Sequence, residues 1–270
     1  MKKIATLLCA ITALTACSTK QNNAETTAST KSLILYYSQT HATEQVANAI
    51  QAETGADIEA ISAVQPYDGD FQQTIARCQE EMAAGTLPEL TALQKNIAAY
   101  DTIYLGYPVW FGTFAQPMAA LVSANDFAGK VVIPFCTFGS GGLNTSSDQL
   151  KAKLTQATIL PGYGVRNARI AAAAAEVKQF LINAGIIVGE KVELPAFGET
   201  QEITAEAKSI FDAACSSYSM PLGEPVSFST RALANGTEYL FSVVNNGNPA
   251  GQIYVTAAEG KEPEFTQVVR

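Results

Sequence analysis

Basic residues, histidine and tryptophan are all scarce in this chain, and each shortage excludes a class of function. Seventeen Lys and Arg face 25 Asp and Glu over 270 residues, giving a net charge of −8 and a pI near 4.8, so an electrostatic grip on nucleic acid is excluded. His41 stands alone, and no C-x-x-C or H-x-x-x-H spacing occurs, which argues against a zinc site. Beyond Cys9 and Cys17 the cysteines are Cys78, Cys136 and Cys215, an odd number that makes at most one bridge and no disulfide framework. What remains is the composition of a globular protein, 47% hydrophobic and 16% charged.

The N-terminus reads as an export signal. Met1-Lys2-Lys3 precedes an apolar run over residues 4–14, too short to span a bilayer as a helix, which needs about 20 residues. The run ends in Leu14-Thr15-Ala16-Cys17, which resembles a bacterial lipobox, in which the cysteine becomes the lipidated first residue of the mature chain. Residues 1–16 are therefore expected to be a leader, and Cys17 a membrane anchor. Residues 17–31, rich in Ser, Thr, Asn and Ala, are expected to be a flexible tether. Ser18 does not resemble an inner-membrane retention signal, which points to the periplasmic face of the outer membrane of a bacterial envelope.

Residues 32–187 alternate apolar runs with amphipathic stretches, the pattern of parallel strands joined by crossover helices. The pattern predicts strands over 33–38, 57–61, 102–107, 130–136 and 158–163. It predicts helices over 42–53, 71–84, 114–123, 146–154 and 173–184. Residues 188–202 read as a connector. In the remaining segment, 203–270, a helix over 204–218 precedes about four antiparallel strands, punctuated by Pro221, Gly223, Pro225, Asn235-Gly236, Asn245-Asn246-Gly247 and Gly260. Asn-Gly is the strongest hairpin signal. The class is α/β with a small α+β domain behind it.

Three strand ends carry the chemistry, because ligands of open parallel sheets bind beyond the carboxyl ends of the strands. The first strand runs into Ser38-Gln39-Thr40-His41-Ala42-Thr43 and then a helix, offering hydroxyls and unpaired N–H groups to an anion. With no Lys or Arg in this loop, a phosphate monoester held by hydrogen bonds suits it, and an N-capped helix serving only its own backbone is the other reading. The third strand leads into Gly106-Tyr107-Pro108-Val109-Trp110-Phe111-Gly112-Thr113, expected to expose two aromatics to a flat partner, although Trp110 alone also reads as a buried anchor. The fourth leads into Cys136-Thr137-Phe138-Gly139-Ser140-Gly141-Gly142, whose glycines admit a ligand edge to the backbone. Cys136 reads as a small buried residue, and Glu80-Glu81 as a solvated helix face.

Together these loops resemble the flavodoxin-like family of the Gly-Tyr-Pro-x-Trp type, over about residues 32–185. The resemblance implies a doubly wound, five-stranded parallel sheet of order 2-1-3-4-5 holding FMN non-covalently. It places the phosphate on Ser38, Gln39, Thr40, Ala42 and Thr43, with His41 where the family carries a glycine, so that His41 adopts φ > 0 and is expected to retain binding. It places the ring against Pro108, Val109, Trp110, Phe111, Gly112, Thr113, Thr137, Phe138, Gly139 and Gly142. The implied function is electron transfer to a partner protein or a small quinone-like acceptor, with no catalytic side chain. An NAD(P)H–quinone-type oxidoreductase and a cofactor-free interaction module are the alternatives. Tyr107 reads as a rigid strand-end residue in preference to a proton donor. Residues 233–239 and 265–269 resemble a cystatin-type hairpin and last strand. Ala232 stands where that family's inhibitory loop has glutamine, so the implied role is an accessory or interaction domain.

Overall fold

A computed structural model describes residues 31–139, 141–218 and 220–269. The residues expected to form the leader, the lipid-bearing cysteine (Cys17) and the tether up to residue 30 lie outside the described residues. Among the described residues, no helix is long and apolar enough to cross a membrane.

The first half contains β1 (Ser32–Tyr36), α1 (Ala42–Thr54), β2 (Asp57–Ala60), α2 (Phe71–Ala84), β3 (Thr102–Trp110), β4 (Thr113–Phe114), α3 (Gln116–Ala124), β5 (Val131–Phe138), α4 (Leu143–Lys153), β6 (Thr158–Ile159), β7 (Tyr163–Arg166) and α5 (Ala173–Asn183). The parallel order is β2-β1-β3-β5-β6, with β7 following β6 along β5 and β4 folded back antiparallel on β3. This is the expected 2-1-3-4-5 order. Alternation along each strand feeds two cores, as a sheet covered on both faces requires. Leu33, Leu35, Ile103 and Leu105 pack with Met118, Leu121 and Leu150, while Ile34, Tyr104 and Ile133 pack with Val46, Ile50, Val177 and Leu181. Helix α2 keeps its expected bounds because Asp70 and Gln73 form a reciprocal capping box, with both bonds at 2.8 Å.

Several boundaries differ from expectation by a few residues, and three of them have local reasons. β3 continues to Trp110 through Pro108, which sits on the side of the strand where β1 has already ended. A missing N–H is tolerated at such an edge. Helix α4 starts at Leu143, not 146, and Ser146 lies inside its first turns: it is fully buried, accepts from Tyr107 Oη at 3.2 Å and donates to Leu143 O at 2.9 Å. The fifth strand breaks into β6 and β7 around Leu160-Pro161-Gly162, where a Cβ on Gly162 would fall 2.3 Å from Pro134 O.

The second half holds β8 (Gln201–Glu202), α6 (Ala205–Cys215), β9 (Glu224–Leu233), β10 (Gly236–Asn245), β11 (Asn248–Ala258) and β12 (Glu264–Val269), in an antiparallel sheet of order β12-β11-β10-β9-β8. One helix lies on this sheet over a core of Phe211, Phe241, Ile253, Val255, Phe265 and Val268. Asn246 and Gly247 take the two left-handed positions of a tight hairpin, φ 50° and 78°. At the other hairpin the turn residues are Ala234 and Asn235, one position earlier than the Asn-Gly signal implies, and Gly236 opens β10 at φ 149°.

The two sheets meet through arginines at the end of β7. Arg166 donates to Phe265 O (Nη1, 2.8 Å) and Gly139 O (Nε, 3.2 Å) and lies 4.0 Å over the Phe265 ring. Arg169 pairs with Glu176 within the first half, and its Nε lies 2.9 Å from Glu264 Oε2, close enough for charge attraction though not aligned as a hydrogen bond.

Candidate functional site

The loops after β1, β3 and β5 emerge from adjacent central strands, the place where strand order reverses in an open α/β sheet. In the first loop His41 is the residue before helix α1 and stands at φ 61°, ψ 2°, in the left-handed region that a glycine occupies without strain. Its imidazole Nδ1 lies 2.6 Å from Glu44 Oε2. Ser38 Oγ accepts from Glu44 N at 3.3 Å, and the first helical bond runs from Gln45 N to His41 O. The N–H groups of Ala42 and Thr43 are left without an intramolecular partner among the described residues. Those two donors, the exposed hydroxyl of Thr40 and the helix dipole form a cradle suited to an anion. Two predicted contacts have other partners: Gln39 Nε2 donates to Tyr67 O and Thr74 Oγ1, both at 2.9 Å, and Thr43 Oγ1 shares a 2.9 Å bond with Thr137 Oγ1. For Thr43 and Thr137, both almost fully buried, the main chain is what faces a ligand.

The second loop is a hairpin turn. Trp110 pairs with Thr113, and Phe111 and Gly112 between them stand at φ 50° and 76°. Two consecutive left-handed residues fit the right-handed twist of the flanking strands, and a bulky aromatic there is under strain. Phe111 is 51% exposed. Trp110 is half-buried instead of exposed, packed edge-on to Tyr37 (5.7 Å between centroids) and tilted on Tyr67 (5.3 Å). Arg77 lies 3.7 Å over the outer side of this cluster, on Tyr67, and is itself paired with Glu81. Sequence reasoning missed Tyr37 and Tyr67, although an aromatic at a strand end and a Pro-Tyr turn after β2 were visible signals. Gly106 is a packing glycine: a Cβ would fall 2.1 Å from Phe135 Cζ, its neighbour across β3 and β5.

In the third loop Phe138 is buried in the core, Gly139 O is held by Arg166, Gly141 stands at φ 97°, and Gly142 precedes α4. Gly141 approaches Val109 of the second loop, with 4.0 Å from its Cβ position to Val109 Cγ1. A cleft of about 210 Å³ is bounded by Gly112, Gly141, Gly142 and Asn144 and, from the second sheet, by Gln267 and Val269. A second cleft, about 370 Å³, borders Tyr37, Ser38, His41, Glu44 and Tyr67. A larger groove of about 750 Å³, between residues 87–98 and the end of α3, lies at the opposite end of the strands.

Tyr107 is fully buried with its hydroxyl on Ser146 Oγ, and burial raises this hydroxyl and the Cys136 thiol well above their ordinary values. Burial likewise pushes Cys78 up to about 11 and Cys215 up to about 12.

The fold defines a doubly wound α/β protein whose three strand-end loops gather at its switch point. More narrowly, residues 31–183 match the family model described as Flavodoxin, and the chain belongs to that family. A solved candidate flavoprotein of Bacteroides uniformis ATCC 8492 is 27% identical, with a TM-score of 0.51 over 56% of this chain and 97% of its own. Another from Bacteroides eggerthii DSM 20697 is 26% identical, with a TM-score of 0.47 over 55% and 98%. A flavoprotein of Lactobacillus acidophilus NCFM, solved in complex with FMN, is 20% identical, with a TM-score of 0.45 over 54% and 99%. No curated protein matches the chain.

Proposed function

We propose that this protein is an envelope-tethered flavodoxin that binds FMN non-covalently and passes electrons to a partner protein or a small quinone-like acceptor. The observation that carries the reading is the cradle at α1: unpartnered N–H groups of Ala42 and Thr43 beneath a left-handed His41, adjoining the Phe111–Gly112 hairpin. Because His41 adopts the glycine conformation and its imidazole is held by Glu44, the substitution is compatible with a cofactor and argues against the cofactor-free alternative. FMN, when bound, supplies the redox chemistry, and the chain supplies position and electrostatics. Ser38, Thr40, Ala42 and Thr43 hold the phosphate end, while Trp110, Phe111 and the glycine edge of the third loop flank the ring. With charge-assisted hydrogen bonds contributing about 1.5–3 kcal/mol each, loss of the phosphate costs about a hundredfold in affinity or more. Titration of residues 18–270 with FMN and with riboflavin tests this. Equal affinities would remove the cradle from the reading.

The lipid anchor is proposed on the Leu14-Thr15-Ala16-Cys17 motif. Acyl chains on Cys17, contributing about 0.8 kcal/mol per buried CH₂, hold the protein at the membrane surface. Cys17→Ala is expected to move it to the soluble fraction, and continued membrane retention would contradict the anchor. The single helix on an antiparallel sheet in residues 203–270 supports the cystatin-like accessory reading of that segment.

A further inference from the structure

The C-terminal sheet reaches the loops after β3 and β5 with a polar side chain that has no hydrogen-bond partner among the described residues. Gln267, paired with Tyr254 in the β11–β12 ladder, projects its carboxamide against the third loop, so that Nε2 lies 2.9 Å from where a Cβ on Gly142 would be. Gly142 is extended at φ 172°, a conformation open to any residue, and the end of the Gln267 side chain occupies the space where a Cβ would stand. The Gln267 side chain is half-buried, and its carboxamide makes no hydrogen bond among the described residues. It borders the 210 Å³ cleft whose other walls, Gly112, Gly141 and Gly142, belong to the second and third loops. The carboxamide is only partly withdrawn from solvent, so among the described residues its donors and acceptor stand open to a ligand or water in the cleft. The strand that carries it is fixed in place, because Arg166 clamps Phe265 O of β12 and Gly139 O of the third loop with one guanidinium.

We propose that Gln267 is a ligand-reading residue of the flavin site, supplied by the second module, and that its carboxamide recognises the imide edge of the ring. The chemistry is complementary: an imide presents one N–H between two carbonyls, and a primary amide offers an acceptor beside a donor. This inference rests on the FMN reading above and adds to it. The C-terminal sheet becomes part of the binding site, and removing its contact alters ligand selection without touching the phosphate cradle.

The test pairs a ligand change with a residue change in the full mature chain. FMN and N3-methyl FMN, which lacks the imide proton, are titrated by flavin fluorescence against wild type, Gln267→Leu and Gln267→Glu, with thermal melts to establish that each variant is folded. One neutral hydrogen bond sets the scale, so wild type is expected to prefer FMN by about five- to tenfold, and Gln267→Leu to lose most of that preference. Gln267→Glu retains an acceptor for the imide proton but sets its charge against the ring carbonyls, and is expected to bind FMN more weakly than wild type. If wild type binds FMN and both variants keep its affinity and its discrimination, Gln267 is no ligand and this inference falls alone. Absence of FMN binding by wild type overturns the FMN reading itself and this inference with it.

Discussion

Replacing Arg166 with methionine removes the charged fork joining the two halves while keeping most of the side-chain volume. The guanidinium makes one charge-assisted bond to Phe265 O at 2.8 Å, a longer one to Gly139 O at 3.2 Å, and a cation–π contact 4.0 Å over the Phe265 ring. Charge-assisted bonds contribute about 1.5–3 kcal/mol and the ring contact about 0.5–1 kcal/mol. Against this stands the cost of taking the guanidinium partly out of water, visible as a lowered pKa caused chiefly by burial. A net loss of about 2–3 kcal/mol is expected, concentrated where β12 docks. A transition of this size shifts by about 2–4 °C per kcal/mol, so calorimetry should show a fall of about 4–12 °C. Amide exchange should rise in residues 264–269 and in the third loop but not in β1 or β3. Arg166→Lys keeps the charge without the fork and should fall between the two. A methionine variant with unchanged melting and unchanged exchange over 264–269 would refute the clamp.

His41→Gly relieves a left-handed non-glycine residue and loses only an exposed contact with Glu44, so FMN affinity should change by less than about threefold, read by fluorescence titration. Phe111→Asn suits the same backbone region and should raise stability by about 0.5–1 kcal/mol in urea denaturation while weakening FMN binding. Gly106→Ala drives a methyl into Phe135 and should destabilise by about 1–3 kcal/mol or more in the same assay. The three thiols of the chain from residue 18, all raised by burial, should be unreactive to a thiol reagent at pH 8 until the protein is denatured. Asp57 is held below the ordinary carboxylate value, mainly by the Tyr100 hydroxyl at 2.6 Å. A depressed folded-state value stabilises at neutral pH, and the contribution is lost as pH falls through that value, so Tyr100→Phe should flatten the acid limb of the stability profile.

The cofactor loops were legible because their chemistry is local: hydroxyls before a helix, a Gly-Tyr-Pro-x-Trp run and a glycine-rich strand exit each occupy a few consecutive residues. The left-handed His41 was legible because a glycine is displaced there. Pro108 read as the end of a strand, since nothing in the sequence tells that β1 stops short on its side. Helix α4 read as starting at Ser146 for the same reason, the burial of that residue against Tyr107 being set by a strand 39 residues away. The meeting of the two sheets was not legible at all. Arg166 and Phe265 are 99 residues apart, and Gln267 lies between the buried Phe265 and Val268, where a side chain facing a cleft looks like one facing water.

Trp110 is the only tryptophan and lies in the second of the three loops, so its emission reports on ring binding without labelling. Residues 18–270 should be mixed with excess FMN, freed of unbound flavin, and examined for visible absorbance and tryptophan fluorescence together. A retained flavin spectrum with quenched Trp110 emission is the expected result, and acid denaturation should release all of the flavin. A folded protein at micromolar concentration that retains no flavin, with Trp110 emission unchanged, would contradict the assignment of these loops to FMN.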